Sequence, residues 1–521
     1  MTGFVDVLLR SLILAAQAAG VGGVVFALWT LRGPAWRGAD LARAWTLVAA
    51  GAVTLLIAQS LSALTQVIAL EGTARAADLV ATSYFRVSAA RGIAALALLG
   101  GALTLRRGAR AGLMPARARV VVIAAAAALT LLAPWTSHAA ARVGGRFPLL
   151  TLDAIHQVAV WIWIGGLAQL VVVAARGRAE TWPPLLLQRF STVALGSVIA
   201  LVLAGAGLSW RYIDGPRALL GTAYGVMVLT KVALLVALLV LGALNFFVVR
   251  RLARGGGVAT LRLRRFVEVE LGLGLTVLGA AASLTSLPPA VDVVADRATF
   301  AEVGGRFVPR WPTLRSPQLS ELPVEDRNAP RTDADRAWSE YNHHWSGLFV
   351  LSMGALALLH QTGRARWARH WPLIFLGLAV FLFFRSDPGS WPIGPYGFWE
   401  SMLFPEVVQH RIFLLLIVVF GVFEWRVRAG SLQAPGYALV FPLLCAVGGG
   451  LLLTHSHASL NLKSEFLVEV THAPLGLFGV VVGWGRWLEL RLAPDGDRLP
   501  RYLWALGLTA VGLLLVLYRE S

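Results

Sequence analysis

The 521-residue sequence has little cysteine, methionine, lysine or charge. Its single cysteine, Cys445, excludes an internal disulfide and any metal site built from a cysteine cluster. The five methionines include Met227, Met353 and Met402, which are dispersed and do not form a stripe of thioether ligands. Charged residues make up only 14% of the chain, so the sequence does not suggest a water-soluble domain of ordinary size.

Long apolar segments are what the sequence has in abundance. The chain is 57% hydrophobic, with a mean hydropathy of +0.69. A helix that crosses a bilayer needs roughly 20 apolar residues, and about fourteen such segments recur along the chain. They lie near 7–31, 45–69, 87–105, 118–136, 150–175, 190–212, 219–249, 266–287, 342–361, 371–385, 408–426, 436–454, 468–489 and 502–518. The sequence predicts an all-α, polytopic integral membrane protein with about 14 transmembrane helices in two bundles.

The net charge of +18 is explained by membrane topology. Arginine collects in alternate loops, at 106–119, 250–265, 364–369, 426–428 and 486–501, whereas the loops between them are acidic or mixed. The positive-inside rule places the arginine-rich loops in the cytoplasm and both termini in the periplasm. We therefore expect a bacterial inner-membrane protein whose partner is the lipid bilayer and not nucleic acid.

The stretch 287–341 divides the predicted helices. It contains seven prolines and alternating charges, and no part of it is long enough to span a membrane. A loop of this length is commonly functional or a linker. We predict an eight-helix membrane module at 1–286, a periplasmic proline-rich loop at 287–341 and a six-helix, histidine-rich membrane module at 342–521.

Eight of the ten histidines fall at the predicted periplasmic ends of the apolar segments. They are His138, His156, His343, His344, His410, His455, His457 and His472. Only His360 and His370 lie at the opposite ends. This one-sided set, with acidic residues interleaved, predicts a metal-handling surface at the outer rim of the protein.

In the first module, Asp153 and His156 are spaced i, i+3, which places them on one helix face. A carboxylate at this position either binds a metal or hydrogen-bonds the imidazole. His138, at the end of the preceding helix, completes the candidate site. The alternative is a group of interfacial polar residues that cap a helix and contact water.

The second module contains more candidate ligands. Glu406 precedes His410 by four residues, and Glu469 precedes His472 by three. His343, His344, His455 and His457 complete the predicted ligand set. Imidazole and carboxylate suit copper, zinc, nickel or iron, with copper(II) bound most tightly in the usual order. Any one of these histidines alone is also explained by a structural role.

Polar residues inside the first module predict a route inward. Lys231 lies near the bilayer midplane, where an ionisable group suggests function. Gln59, Gln66 and Asn245 add polarity to the same module. Together the four residues are candidates for a transport path, although ordinary interhelical hydrogen bonds explain them equally well.

Several of these motifs resemble the copper resistance protein D family of bacterial inner-membrane proteins. The matching residues are Leu152-Asp153-Ala154-Ile155-His156, Trp161 to Leu167, Tyr224-Gly225, Lys231 and Asn245. The resemblance covers roughly 1–286, and the second half resembles the extension of longer family members. It implies copper moved from the periplasm towards the cytoplasm, often beside a periplasmic copper-binding protein.

The sequence therefore predicts a non-enzymatic protein of copper transport, resistance or homeostasis that captures copper at its periplasmic face. No nucleotide-binding motif is evident, so ATP is not the expected driving force. Two alternatives remain open at this stage. One is a b-type haem oxidoreductase, with His344, His410 and His472 as candidate axial ligands. The other is a copper-delivery factor for oxidase assembly, which requires no transmembrane path.

Overall fold

The computed structural model describes residues 2–33, 38–69, 76–174, 183–253, 260–322, 332–454, 463–492 and 498–520. Within these ranges the regular secondary structure is helical, with no strand. Thirteen helices in the described ranges are long and apolar enough to cross a membrane. These helices confirm the predicted all-α, polytopic membrane class.

The first compact unit comprises Met1–Arg297 and Thr454–Asn461. Its long helices are α1 (Thr2–Gln17), α2 (Gly38–Ala69), α3 (Ser83–Arg110), α4 (Ala116–Leu132), α5 (Arg146–Ala174), α6 (Pro184–Tyr212), α7 (Ala223–Ala253) and α8 (Thr260–Leu284). Two π-helical turns, Ala18–Gly22 and Phe26–Thr30, continue α1 to Thr30. Eight of the thirteen candidate spans belong to this unit.

Glycines in the first unit allow α5 to pack closely against its neighbours. Gly165 lies against the carbonyl of Ala18, and Gly22 lies against that of Trp161, with no room for a Cβ at either glycine. Gly166 packs against the Phe190 ring. Close approach through small residues is a common mode of helix association in membranes. The run from Trp161 to Gly166 thus holds α5 in position and keeps the polar residues one to two turns earlier in register.

The second compact unit comprises Ala298–Leu453 and Leu462–Ser521. Its long helices are α9 (Asp333–Gln361), α10 (Ile374–Arg385), α11 (Pro405–Arg428), α12 (Val440–Thr454), α13 (Lys463–Leu492) and α14 (Leu499–Val516). The predicted segment 342–361 lies within α9, which is not among the thirteen candidate spans because polar residues occupy both of its ends. The segment at 371–385 begins in a 3₁₀ helix, Arg366–Leu373, that contains Pro372.

Small residues also set the closest helix contacts of the second unit. Gly347 on α9 lies against Val516 on α14, and Gly354 lies against Thr509. Gly512, on α14, packs in turn against the backbone of α9. A Cβ at any of these three glycines would overlap the facing helix. This close crossing brings the C-terminal end of α14 beside the first turns of α9, where two adjacent histidines lie.

The segment before α9 in the second unit begins with a short helix, Phe300–Gly305, which Thr299 and Glu302 cap reciprocally. The Lys463 ammonium at the start of α13 pairs with Glu302 at 2.5 Å. Hydrogen bonds from Lys463 and Thr299 lower the pKa of Glu302 to about 2. The segment is therefore tied to the helix that carries His472.

Candidate functional site

In the first unit, α5 carries Asp153, His156 and Gln157 on one face, as the i, i+3, i+4 spacing requires. The Gln157 amide Nε2 donates to Asp153 Oδ2 at 2.8 Å. The Ser137 side chain also hydrogen-bonds this carboxyl group. Two polar neighbours therefore hold Asp153 beside the histidine.

The His156 ring is oriented by α6. Its Nδ1 lies 3.2 Å from the Leu201 carbonyl oxygen, so the neutral ring donates from Nδ1 and carries its lone pair on Nε2. Gly205 makes room for this contact, because a Cβ there would lie 3.1 Å from the ring's Cε1 atom. A ring nitrogen bonded to a backbone carbonyl is the usual outer-shell arrangement of a metal-binding histidine.

Lys231 on α7 interacts electrostatically with both Asp153 and His156. The acidic, basic and imidazole groups thus occupy one electrostatic cluster formed by α5 and α7. An acidic and a basic group placed near each other reduce the cost of ionisation inside an apolar bundle. The cluster combines a metal-binding group with an adjacent positive charge.

The other predicted path residues have separate partners. Gln59 donates to the Ser88 carbonyl on α3. Asn245 donates to Glu270 on α8 at 2.8 Å, and it lies fourteen residues from Lys231, or about 21 Å along the helix. Gln66 is partly exposed near the end of α2. A continuous path through the four residues stays a prediction.

His138 lies in an aromatic cluster with Tyr212 and Tyr224. Its ring centre is 6.3 Å from that of Tyr212 and 6.2 Å from that of Tyr224, and both contacts are edge-to-face. Burial lowers the pKa of His138 below its ordinary value, because desolvation disfavours the imidazolium. The ring is therefore neutral at physiological pH, as a ligand requires.

His138, Asp153 and His156 are not gathered into one coordination sphere. Within the part of the chain that the structure describes, no three His, Cys, Asp or Glu residues are grouped closely enough to hold a metal ion. The three predicted ligands occupy the same end of the first unit. In this conformation, a metal ion would contact fewer than three of these residues at a time.

Sequence reasoning missed the residues that surround this group. Arg142 forms a two-pronged ion pair with Asp292, at 3.0 and 2.6 Å, and its guanidinium lies 5.6 Å from the Tyr212 ring centre. The two partners of the ion pair are 150 residues apart, so no local pattern links them. Tyr224 could have been identified from the sequence, since it begins the Tyr224-Gly225 motif noted above.

In the second unit, the adjacent histidines of α9 have different roles. The Thr313 amide donates to His344 Nδ1 at 2.9 Å, and His344 Nε2 donates to the Tyr518 carbonyl at 2.9 Å. The ring is 4% exposed, and the main chain engages both of its nitrogens. Through these two bonds, His344 links the backbone at Thr313 and at Tyr518 to α9. We therefore do not include it among the proposed ligands.

His343 faces His472 on α13. Each Nδ1 lies 2.8 Å from a carbonyl one turn earlier in its own helix, that of Ser339 for His343 and that of Val468 for His472. The ring centres are 6.1 Å apart, with an interplanar angle of 81°. The structure therefore brings together two predicted ligands that are 129 residues apart in sequence.

The remaining predicted ligands have varied positions. His410 Nδ1 lies 2.7 Å from Asp387 Oδ1. Burial raises the pKa of Asp387, but hydrogen bonds with His410 and Ser386 outweigh it and hold the pKa below its ordinary value. Glu469 is buried on α13. His455, His457 and the side chain of Glu406 lie outside what the structure describes.

Two comparisons with known proteins found a similarity. The family model "Copper resistance protein D" matches residues 184–284. The Copper transport protein CutJ of Bacillus subtilis (strain 168) is 33% identical over 165 residues, which cover 31% of this chain and 29% of that protein. The match thus spans less than a third of the curated relative. No solved structure matches the chain.

The matched region covers α6 to α8 and contains Tyr212, Tyr224 and Lys231. It does not include Asp153 or His156, which lie on α5. The matched helices nevertheless carry Lys231, which interacts with both of these residues, and the Leu201 carbonyl that orients the His156 ring. Residues 184–284 of this chain are thus similar to the copper resistance protein D family.

Proposed function

We propose that this protein binds copper at the periplasmic ends of its helices and moves it towards the cytoplasm, in copper transport or resistance. One observation carries the proposal. Lys231 and the Leu201 carbonyl, both within the region matched by the copper resistance family, interact with Asp153 and His156 on the neighbouring helix α5. Copper is the cargo here, and no residue is assigned a catalytic role.

His156 is the proposed ligand at the centre of the first unit. Its Nδ1 is engaged by the Leu201 carbonyl, so Nε2 is the nitrogen that binds copper. Imidazole nitrogen is a favourable ligand for copper in either oxidation state. Asp153 lies one turn away on the same face, where it offers an oxygen ligand or compensates the charge of the metal.

His138 and its two tyrosines are proposed to form the entry layer of this unit. The Arg142 guanidinium, which is paired with Asp292, lies over the Tyr212 ring beside this layer. Glu406, His410, His455, His457 and Glu469 remain proposed ligands of the second unit. A periplasmic copper-binding protein is the proposed donor, with both chain termini on the periplasmic side.

Inward movement of a copper cation needs no nucleotide. An inside-negative membrane potential favours entry of a positive charge by about 2.3 kcal/mol per unit charge for each 100 mV. In its protonated form, Lys231 repels a cation at His156, which keeps the metal from being held too tightly. We therefore propose transfer down the electrical gradient.

Copper content and copper uptake test the proposal together. The full chain is purified in detergent after growth with copper, analysed by mass spectrometry for copper and iron, and reconstituted into vesicles for uptake of radioactive copper. We expect bound copper and time-dependent uptake, both reduced by His156→Ala. His370→Ala is the matched control, because His370 receives a hydrogen bond from Trp425 in the second unit, away from the proposed ligands.

The other outcomes select the alternatives. Iron without copper would contradict the proposal and favour the b-type haem reading. Bound copper with no uptake would overturn the transport step and favour delivery to a partner enzyme. Copper uptake unchanged by His156→Ala would remove that residue from the route.

A further inference from the structure

We infer that Arg306, Arg310 and Arg519, here called the arginine cluster, bind the phosphate group of an anionic phospholipid. The cluster lies in the second unit, where the segment before α9 contacts the residues that follow α14. None of its members belongs to the proposed copper route or to the region that matches the copper resistance family. The inference therefore goes beyond the proposed function and does not depend on it.

Arg519 is the central residue of the arginine cluster. It is 6% exposed, and its Nη1 donates to the Gly305 carbonyl at 3.3 Å. Its Nη2 is buried and has no hydrogen-bond partner among the residues that the structure describes. A buried guanidinium nitrogen without an acceptor is costly, because the hydrogen bond that it made to water in the unfolded chain is not replaced. An acceptor that binds at Nη2 would recover this free energy.

Other positive charges surround this side chain. Burial lowers the pKa of Arg519 most, and the charges of Arg310 and Arg306 lower it further. Arg306 also has a buried Nη1 without a hydrogen-bond partner in the described ranges. Glu340 offsets part of the repulsion, although its Oε1 also accepts from the Glu520 amide at 2.9 Å. Guanidinium groups placed near each other favour an oxyanion, which accepts from several of them and neutralises their charge.

The position of the arginine cluster favours a lipid phosphate. The apolar candidate span Leu499–Val516 ends three residues before Arg519. Three residues extend at most about 11 Å, so this guanidinium lies close to the level of the lipid headgroups. Phospholipid is the phosphate ester that a membrane protein meets at that depth, and basic pockets near helix ends are known to bind anionic headgroups.

Exposed apolar side chains next to two of the arginines support the same ligand. Trp311 is 96% exposed, Val308 is 53% exposed and Phe307 is 43% exposed. All three lie in the segment 306–311, which begins with Arg306 and contains Arg310. Tryptophan is enriched at the membrane interface, where its ring contacts both apolar and polar groups. A bound phospholipid would contact these side chains with its glycerol and upper acyl chain while its phosphate contacts the arginines.

The charge of the arginine cluster predicts which headgroup binds. Phosphatidylglycerol carries a net negative charge, whereas phosphatidylcholine also carries a quaternary ammonium group. Arginine repels that ammonium group because like charges raise the energy of the complex. We therefore expect the site to prefer phosphatidylglycerol to phosphatidylcholine.

Lipid retention tests the inference. The full chain is purified in detergent, titrated with phosphatidylglycerol or phosphatidylcholine, and analysed by native mass spectrometry for lipid bound per chain. We expect Arg519→Gln and Arg310→Gln each to weaken the binding of one phosphatidylglycerol about tenfold, as the loss of a charge-assisted hydrogen bond predicts. Because Arg310 is exposed, its variant keeps the test decisive if Arg519→Gln fails to fold.

Arg336→Gln is the matched control. Arg336 pairs with the exposed Asp333 at the start of α9, so this variant removes the same charge from the same unit without changing the arginine cluster. Its affinity for phosphatidylglycerol should equal that of the wild type. An equal loss in Arg336→Gln and Arg310→Gln would overturn the inference, because net charge alone would then explain the result.

Three other outcomes would also overturn the inference. One is unchanged retention of phosphatidylglycerol in Arg519→Gln and Arg310→Gln, and another is equal binding of phosphatidylcholine. The third is displacement of phosphatidylglycerol by excess inorganic phosphate, which would identify free phosphate as the ligand. None of these measurements involves copper. Failure of the lipid site would therefore leave the copper proposal standing, and absence of copper uptake would leave the lipid site standing.

Discussion

The two units place their imidazoles in different electrostatic surroundings. In the first, His156 lies beside a carboxylate and an ammonium, those of Asp153 and Lys231. In the second, His343 and His472 face each other beside the aromatic ring of Tyr518. Histidines of one chain thus lie in a polar cluster in the first unit and beside an aromatic ring in the second.

A second comparison lies within α9, between two neighbouring residues. His344 has both ring nitrogens bonded to the main chain and is 4% exposed. His343, one residue earlier, has Nδ1 bonded to its own helix and its ring turned towards His472. Because successive helix positions point about 100° apart, adjacent residues meet different partners. Adjacent histidines in a sequence are therefore not evidence of adjacent ligands.

The largest expected effect is on the free energy of unfolding, and it distinguishes His344 from His343. His344→Ala should lower the free energy of unfolding by about 2–6 kcal/mol, since it removes the bonds to the Thr313 amide and the Tyr518 carbonyl and each such loss costs about 1–3 kcal/mol. His343→Ala should cost clearly less. Denaturant unfolding in detergent, followed by circular dichroism, measures both. Equal destabilisation by the two variants would break the comparison within α9.

The second-largest expected effect is a loss of copper affinity in the first unit. His156→Ala should reduce copper affinity by about 10–100-fold, because even outer-shell substitutions at metal sites produce losses of this order. Equilibrium competition with a copper chelator measures the affinity. An unchanged affinity would remove His156 from the proposed ligands.

Removal of the positive charge of Lys231 should have the opposite effect and raise the copper affinity. Lys231→Met is expected to raise the copper affinity of the first unit about tenfold, since a nearby like charge repels the ion and 1.4 kcal/mol corresponds to a factor of ten. Uptake into vesicles should slow at the same time, because the ion leaves more slowly. Lys231→Arg keeps the charge and is the matched control. An unchanged affinity in Lys231→Met would show that the charge of Lys231 does not affect copper binding.

The smallest effect tests the orientation of His156. Gly205→Ala introduces a Cβ about 3.1 Å from the ring, so the imidazole must shift by a few tenths of an ångström. We expect a loss in copper affinity of roughly threefold, less than that of removing the ring. Gly196→Ala, on the same helix with open space around its Cα, is the control. Identical affinities in the two variants would indicate that the Leu201 contact does not tune the ligand.

The spans were predictable because a transmembrane helix is a local property. Apolar runs of sufficient length identified thirteen helices that the structure confirms. The segment at 342–361 forms part of α9, whose polar ends include the two histidines discussed above. The Asp153–His156 spacing also predicted a shared helix face, since that relation depends on helical geometry alone.

Partners distant in sequence could not be predicted. The Leu201 carbonyl is 45 residues from His156, and the Tyr518 carbonyl is 174 residues from His344. Backbone carbonyls have no side-chain signature, and a stacked tyrosine resembles any other aromatic residue near a helix end. Sequence therefore named His343, His344 and His472 as equals, although their bonds separate them.

By itself the sequence determined the helices and their apolar length, because each follows from residues close together in the chain, whereas the clustering of histidines at one end stays a prediction. Only the tertiary structure decided which nitrogen of each imidazole is engaged and which two rings meet. Those properties depend on close helix crossings, such as that of Gly347 and Gly354 with α14. A crossing angle and its register are set by the packing of whole helix surfaces, which no short motif specifies.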